Sequence, residues 1–397
     1  MSTGTAPASR RRVVGVDVAR CLALLGMMAT HVLDSHDPDG TLSVAQWLAG
    51  GRASALFAVL AGVSLALVTG RSTPVRGAEL AARSTGIFVR ALLIGVLGLA
   101  LGTLDSGLAI ILTYYAVLFV LALPFLGLRA PPLFALAAGW IVIAPVVSHL
   151  VRTLLPEPGY ASPAFDQLGT PGPLLSELTF TGYYPAVPWL AYVLVGLGLG
   201  RLNLGDRRVQ RWLIGLGVYL AVAATAVSRL LTEQAPVQSA LLSDPPYPGT
   251  FGQLFDQIAT GTHGTTPAGG AWEWLLVVAP HSGTPFDLAQ TIGSALLVIG
   301  CCLMVVDLLP QVGTRVAALL FGAGTMTLTL YSLHVVMVTP LLPPTEEPES
   351  FRWHVLVVLA VGLMVVAAGR RGPLEKVVAV VSGAFTDWSR QRIRRRP

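Results

Sequence analysis

Residues 16–37 read VDVARCLALLGMMATHVLDSHD, an apolar run that carries Asp17, Arg20 and His31. In a helix, Asp17 and Arg20 lie three apart and share a face. Arg20 and His31 are about three turns apart, roughly 16 Å at 1.5 Å per residue. Asp17, Arg20, Leu24, Met27, Met28 and His31 thus form one stripe. Such a stripe can serve as a polar path with a cationic end at Arg20 and a titratable base at His31. The plainer reading is a paired charge that orients the first helix, with a histidine marking its boundary. Ionisable groups in a membrane span cost about 3 kcal/mol or more unless they pair or face water. On either reading the stripe must face protein and not lipid.

Other polar residues repeat the theme. Arg52 opens the next apolar run, close in sequence to His31 and His36, either as a site residue or as a side chain snorkelling to headgroups. In GAGTMTLTLYSLHVV, Thr327, Tyr331 and His334 fall on one helical face. His334 is a site candidate or a buried histidine bonded to a neighbouring helix. In APHSGTPFDLAQT, Thr284 as N-cap, Pro285 at the first position and Asp287 at the third mark a helix start. His281 and Ser282 lie just outside it, as site or loop residues. No glycine-rich phosphate loop, metal triad or serine-nucleophile motif competes. Asp105 and His149 read as boundary residues without a role.

The elements that position these groups follow from composition. The 397 residues are 53% hydrophobic and 12% charged, with mean hydropathy +0.68, and apolar runs of bilayer-crossing length recur along the chain. The expected fold is all-α, a polytopic integral membrane bundle of about ten helices: 14–33, 48–69, 85–104, 108–127, 131–151, 185–204, 212–231, 286–309, 316–340 and 353–371. The expected organisation is a basic N-terminus over 1–13, one transmembrane domain over 14–371 and a basic tail over 372–397. Polar loops over 152–184 and 232–285, rich in Pro, Gly, Ser and Thr, read as segments without obvious helices and as candidate lids.

With ten spans both termini share one side. That side would hold 21 of the 26 basic residues, which assigns it to the cytoplasm. A pI near 9.4 therefore reports topology and not nucleic-acid binding. A single lysine among the basic residues, with abundant Ala and Gly, fits a GC-rich bacterial genome and its plasma membrane. Cys21, Cys301 and Cys302 sit in apolar runs and offer neither a disulfide framework nor metal spacing. The basic start before an apolar run has the outline of a signal peptide, but Asp17, Arg20 and the many later spans argue for a retained first helix.

VDVARCLALLGMMATHVL, together with LFAVLAGVSLAL, YYPAVPWLAYVLVGLGLGRL and GTMTLTLYSLHVV, resembles the heparan-alpha-glucosaminide N-acetyltransferase-like proteins of the wider transmembrane acyltransferase superfamily, over about residues 12–370. Family members typically read Asp-x-x-Arg-Gly before a Leu/Met-rich helix. Asp17 and Arg20 match, and Cys21 replaces the glycine. A sister family carries Arg, ten residues, then His, the spacing of Arg20 and His31. In the glucosaminide branch that position is often Asn and the active histidine lies later, near where His36 stands. Both histidines are therefore candidates.

The resemblance implies transfer of an acyl group, most simply acetyl, from cytoplasmic acyl-CoA to a saccharide or glycolipid across the membrane, as in cell-envelope glycan modification. On that footing His31, His36 and His334 are the catalytic candidates. Arg20, Asp17, Arg83 and Arg90 would serve acetyl-CoA, and Arg52, Tyr331 and His281 the acceptor. No metal is expected. The expected partners are the bilayer and the acceptor, with a homodimer left open and no nucleic acid. The competing classes are a transporter or flippase, which explains intramembrane charge equally well, and a non-catalytic scaffold or sensor. A transporter would move its substrate unmodified, and no pair of matching Gly/Pro-broken helices in two halves marks one.

Overall fold

A computed structural model describes residues 13–157, 159–342 and 350–395. The basic N-terminal segment expected over 1–13, with Arg10, Arg11 and Arg12, lies outside these residues but for Val13. The chain is helical, and among the described residues the only β-type pairings are two isolated bridges. In order come α1 (Val14–Val32), α2 (Val44–Ala49), α3 (Arg52–Val68), α4 (Gly77–Gly102), α5 (Leu112–Ala122), α6 (Ala130–Val151), α7 (Pro171–Ser176) and α8 (Ala186–Gly200). They are followed by α9 (Arg207–Thr232), α10 (Ala235–Ser243), α11 (Phe251–Ala259), α12 (Pro285–Leu308), α13 (Gln311–Leu320), α14 (Thr327–Val338), α15 (Phe351–Ala367) and α16 (Pro373–Arg394).

Among the described residues, six stretches are long and apolar enough to cross a membrane: α1, 44–68, α4, 130–154, α9 and α12. The segment over 171–181 and α8 make a further pair, bent by 52°. Three shorter apolar helices, over 112–125, 327–338 and 351–367, stand where the remaining spans are expected. Leu92, Val96, Val142, Ile143, Tyr219 and Val222 are exposed, as side chains facing lipid tails would be. At the centre, α8 is buried along nearly its whole length.

Without a hydrophobic drive between helices in lipid, close packing of small residues holds such a bundle together. The α3–α8 crossing rests on Gly62 and Gly196. A Cβ at Gly196 would stand 1.9 Å from the Val59 carbonyl oxygen. The short 3-10 turn over Gly322–Thr325 breaks the helix between α13 and α14 and presses on α1. There a Cβ at Gly324 would meet the Asp17 carbonyl oxygen at 1.8 Å. The Cys21 amide borders the same contact, at 3.0 Å, and Cys21 is fully buried. That is the role of a small packing residue.

Two of the sequence expectations need correction. The segment 232–285 is not free of helices. It holds α10, α11 and a small core of its own, with Leu241, Leu254, Ile258, Trp274, Val277 and Ala279 buried. The helices are nine residues each, too short for a periodic signal, but Thr250 and Gln253 form a capping box that starts α11. Likewise 152–184 holds α7 and a π-helical turn over Glu177–Thr181.

Candidate functional site

Thr284 accepts the Asp287 amide at 3.0 Å, and Pro285 opens α12, so that helix starts where its sequence signals place it. The loop before it brings His281 into the bundle with a left-handed backbone, φ 59°. The His281 ring lies parallel to Trp189, 6.2 Å between centroids, and packs on Tyr183 at 4.7 Å and Tyr184 at 5.4 Å. Burial, with His31 and His263 nearby, pushes the His281 pKa down to about 3. Its ring is neutral at physiological pH.

His31, at the end of α1, lies edge to edge with His334 of α14, with ring centroids 5.2 Å apart and planes 9° apart. His31 Nδ1 and His334 Nε2 are 3.0 Å apart. The other nitrogen of His334, Nδ1, lies 2.9 Å from His354 Nδ1 on α15. His334 and His354 are wholly buried, and His31 is partly exposed. Three imidazoles on three helices thus stand in file.

His36 stands elsewhere. It bridges Leu42 across a turn, contacts Ser35 Oγ at 3.3 Å and pairs with Asp256 of α11 at 3.5 Å. Arg52 donates to the Trp47 carbonyl and faces Asp287. That fits a site or structural cation better than one snorkelling into headgroups. Asp287 Oδ2 accepts the Gly283 amide at 3.0 Å.

At the other end of α1 lies a cavity of about 680 Å³ between α1, α3, α4, α5, α14 and α16. Arg20, Arg83, Arg90 and Arg390 line it, with Ser64, Tyr115, Thr327, Glu375 and Asp387. Arg20 bonds Asp17 at 3.0 Å and Ser64 at 2.8 Å. Arg83 bonds Glu79 at 2.6 Å and the Val68 carbonyl. Arg390 clasps Glu79 at 2.9 Å. The Nε of Arg90 is buried with no hydrogen-bond partner among the described residues. Glu375 caps α14, taking the Leu328 amide at 2.7 Å, the Thr329 amide at 3.1 Å and the Thr329 hydroxyl at 2.6 Å.

Helix α14 joins the two ends. Thr327 lines the arginine cavity, Tyr331 sits midway with its hydroxyl accepting the Ile111 amide at 3.3 Å, and His334 stands among the histidines. Tyr115 lines the cavity and stacks on Phe57 at 5.6 Å. One end can hold a multiply charged anion with an apolar arm beside it. The other can hold and move a proton. No group of three or more His, Cys, Asp or Glu among the described residues is placed to ligate a metal.

The structure therefore brings together Arg20, Arg83 and Arg90 at one end, with Asp17 behind Arg20. At the other it brings together His31 and His334, with His281 nearby. His354, Ser64, Glu375 and Arg390 join these groups without being singled out by the sequence. An ionisable residue just inside the last apolar run, the signal that marks His31, also marks His354. The tail residues carry no such signal, because their roles depend on α16 folding back on α4.

The sequence profile of one family, described as heparan-alpha-glucosaminide N-acetyltransferase, catalytic, matches residues 12–228. That stretch holds Asp17, Arg20, His31, His36, Arg52, Arg83 and Arg90. His281, Tyr331, His334 and His354 lie beyond it. No curated protein matches the chain.

Proposed function

The chain belongs to the heparan-alpha-glucosaminide N-acetyltransferase catalytic family, and from that premise we propose that it is a membrane acyltransferase. It moves acetyl from cytoplasmic acetyl-CoA to a hydroxyl or amino group of a saccharide or glycolipid on the far side. The observation that carries this reading is the pairing of an arginine-lined cavity with a hydrogen-bonded histidine file at opposite ends of α1 and α14. The Arg20 end faces the cytoplasm, where the basic residues concentrate, in the plasma membrane of a bacterium.

Arg20, Arg83, Arg90 and Arg390 take the phosphates of the donor, since planar guanidinium matches phosphate in paired hydrogen bonds. The acyl-bearing arm runs inward past Phe57 and Tyr115. His31 is the base. Its Nε2 takes the proton of the acceptor as the new acyl–oxygen or acyl–nitrogen bond forms, the acyl–sulfur bond breaks, and the thiolate leaves with the electron pair. His334 fixes the His31 ring through Nδ1. Arg52, Tyr331 and His281 border the acceptor.

Calorimetry of acetyl-CoA binding to the purified protein and to Arg20→Ala tests the donor half. Saturable binding that weakens in a folded Arg20→Ala supports it, and no binding by the folded wild type overturns it. Substrate moved across vesicles without modification would favour a transporter instead.

A further inference from the structure

A neutral imidazole carries one N–H and one bare nitrogen. His334 uses both nitrogens, Nε2 toward His31 and Nδ1 toward His354. If it donates at one, it accepts at the other. With all three rings neutral, the file has only two arrangements. In the first, His31 and His334 each carry hydrogen on Nδ1 and His354 carries it on Nε2. His31 Nε2 is then a bare base. In the second, every proton has moved one step along, His31 carries hydrogen on Nε2, and His354 Nε2 is bare. That last atom is buried without a hydrogen-bond partner among the described residues, and so is the hydroxyl of Ser350, the N-cap residue of α15 four positions earlier.

We infer that His31, His334 and His354 form a proton relay, with His354 the positioning residue that passes the proton on. The inference rests on His31 being the base. The acceptor proton arrives at His31 Nε2. The Nδ1 proton of His31 moves to His334 Nε2, that of His334 Nδ1 moves to His354 Nδ1, and the proton on His354 Nε2 passes to a water molecule. The file is left neutral. The reverse passage takes a proton from water at His354 and delivers one from His31 Nε2 to the departing thiolate, which restores the first arrangement. A lone His31 would have to hold a full charge against His334 and His281 in a low-dielectric interior, where an unshared charge is costly. Passing the proton on removes that need.

The test uses the full chain and measures acetyl transfer from acetyl-CoA in mixtures of H2O and D2O. A relay moves several protons in one step, so the wild-type rate should fall along a curve with deuterium content. A straight line overturns the relay without any variant. His354→Gln, which keeps a polar group beside His334 but cannot pass a proton through, should keep the KM for acetyl-CoA and lose kcat about tenfold or more. Its response should straighten. His354→Ala, which leaves room for a free imidazole, should lose rate likewise and regain it when imidazole is added. Full kcat in His354→Gln, or a curve that persists in it, overturns the relay. His31→Ala separates the two readings. If it is inactive while His354→Gln is normal, only the relay falls. If it is fully active, the assignment of the base falls and the relay with it.

Discussion

His31 Nδ1 and His334 Nε2 lie 3.0 Å apart and belong to residues 303 positions apart in the chain. The contact ties the end of α1 to α14, the helix that also reaches the arginine cavity. It puts the two histidines in one hydrogen-bonded unit and leaves His36 on a separate partner, Asp256.

His31→Ala should therefore lower acetyl transfer by at least about a hundredfold, the scale of a lost general base. His36→Ala should keep most of the activity. Both should insert and purify normally. An inactive His36→Ala beside an active His31→Ala would move the base to the loop.

Arg90 and Arg20 line the same cavity with different attachments. Arg90 Nε lacks a protein partner among the described residues, whereas Arg20 holds Asp17 and Ser64. Arg90→Gln should weaken acetyl-CoA binding about tenfold, roughly 1.4 kcal/mol, with little change in thermal stability. Arg20→Ala should weaken binding and also lower the melting temperature. Calorimetry and thermal unfolding, read together, check the contrast. Equal affinity in Arg90→Gln and wild type would remove Arg90 from the donor site.

Glu375 caps α14 while facing the cavity. Glu375→Ala should destabilise the protein by about 1 kcal/mol, as loss of a helix cap does. It should also tighten acetyl-CoA binding, because it removes a negative charge from the cavity proposed to take the donor's phosphates. A variant that binds more weakly would mean that the cap holds the cavity in shape and that its charge is immaterial.

His281 has its pKa pushed down to about 3, against about 6.5 when unfolded. The unfolded chain thus binds the extra proton first as pH falls. The contribution is fully present above pH 6.5 and declines toward pH 3, by up to about 1.4 kcal/mol per pH unit. His281→Asn, which tolerates the left-handed backbone, should flatten the fall in melting temperature between pH 7 and pH 5. An unchanged slope would assign that fall to other groups.

Much of this was legible in the sequence. The stripe from Asp17 to His31 and the face from Thr327 to His334 follow from helical spacing, and Thr284 with Pro285 announces the start of α12. Arg83 and Arg90 lie seven apart on α4, two turns of one face, and both reach the cavity. Spacing does not show which stripes meet. The contact of His31 with His334, and of Arg390 with Glu79, depends on how helices far apart in sequence pack. That is set by glycine crossings such as Gly324 against Asp17, and no local pattern encodes it. His36 illustrates the limit: its position in the chain suits a base, and its pairing with Asp256, on a helix too short to read, shows only in the structure.

The long separation of His31 from His334 also bears on how the protein is made. A ribosome adding about 5–20 residues each second delivers Ser64, the partner of Arg20, roughly 2–9 s after Arg20. It delivers His334 roughly 15–60 s after His31. Helix α1 must therefore enter the bilayer with its polar stripe half answered and wait for the last helices. During synthesis the Arg20 end settles early, and the His31 end stays dependent on the insertion machinery, or on the early helices around it, until α14 arrives. Slowing or stalling translation beyond α12 should lengthen that wait and expose α1 to quality-control proteases, a cost borne by the nascent chain and absent from the finished enzyme.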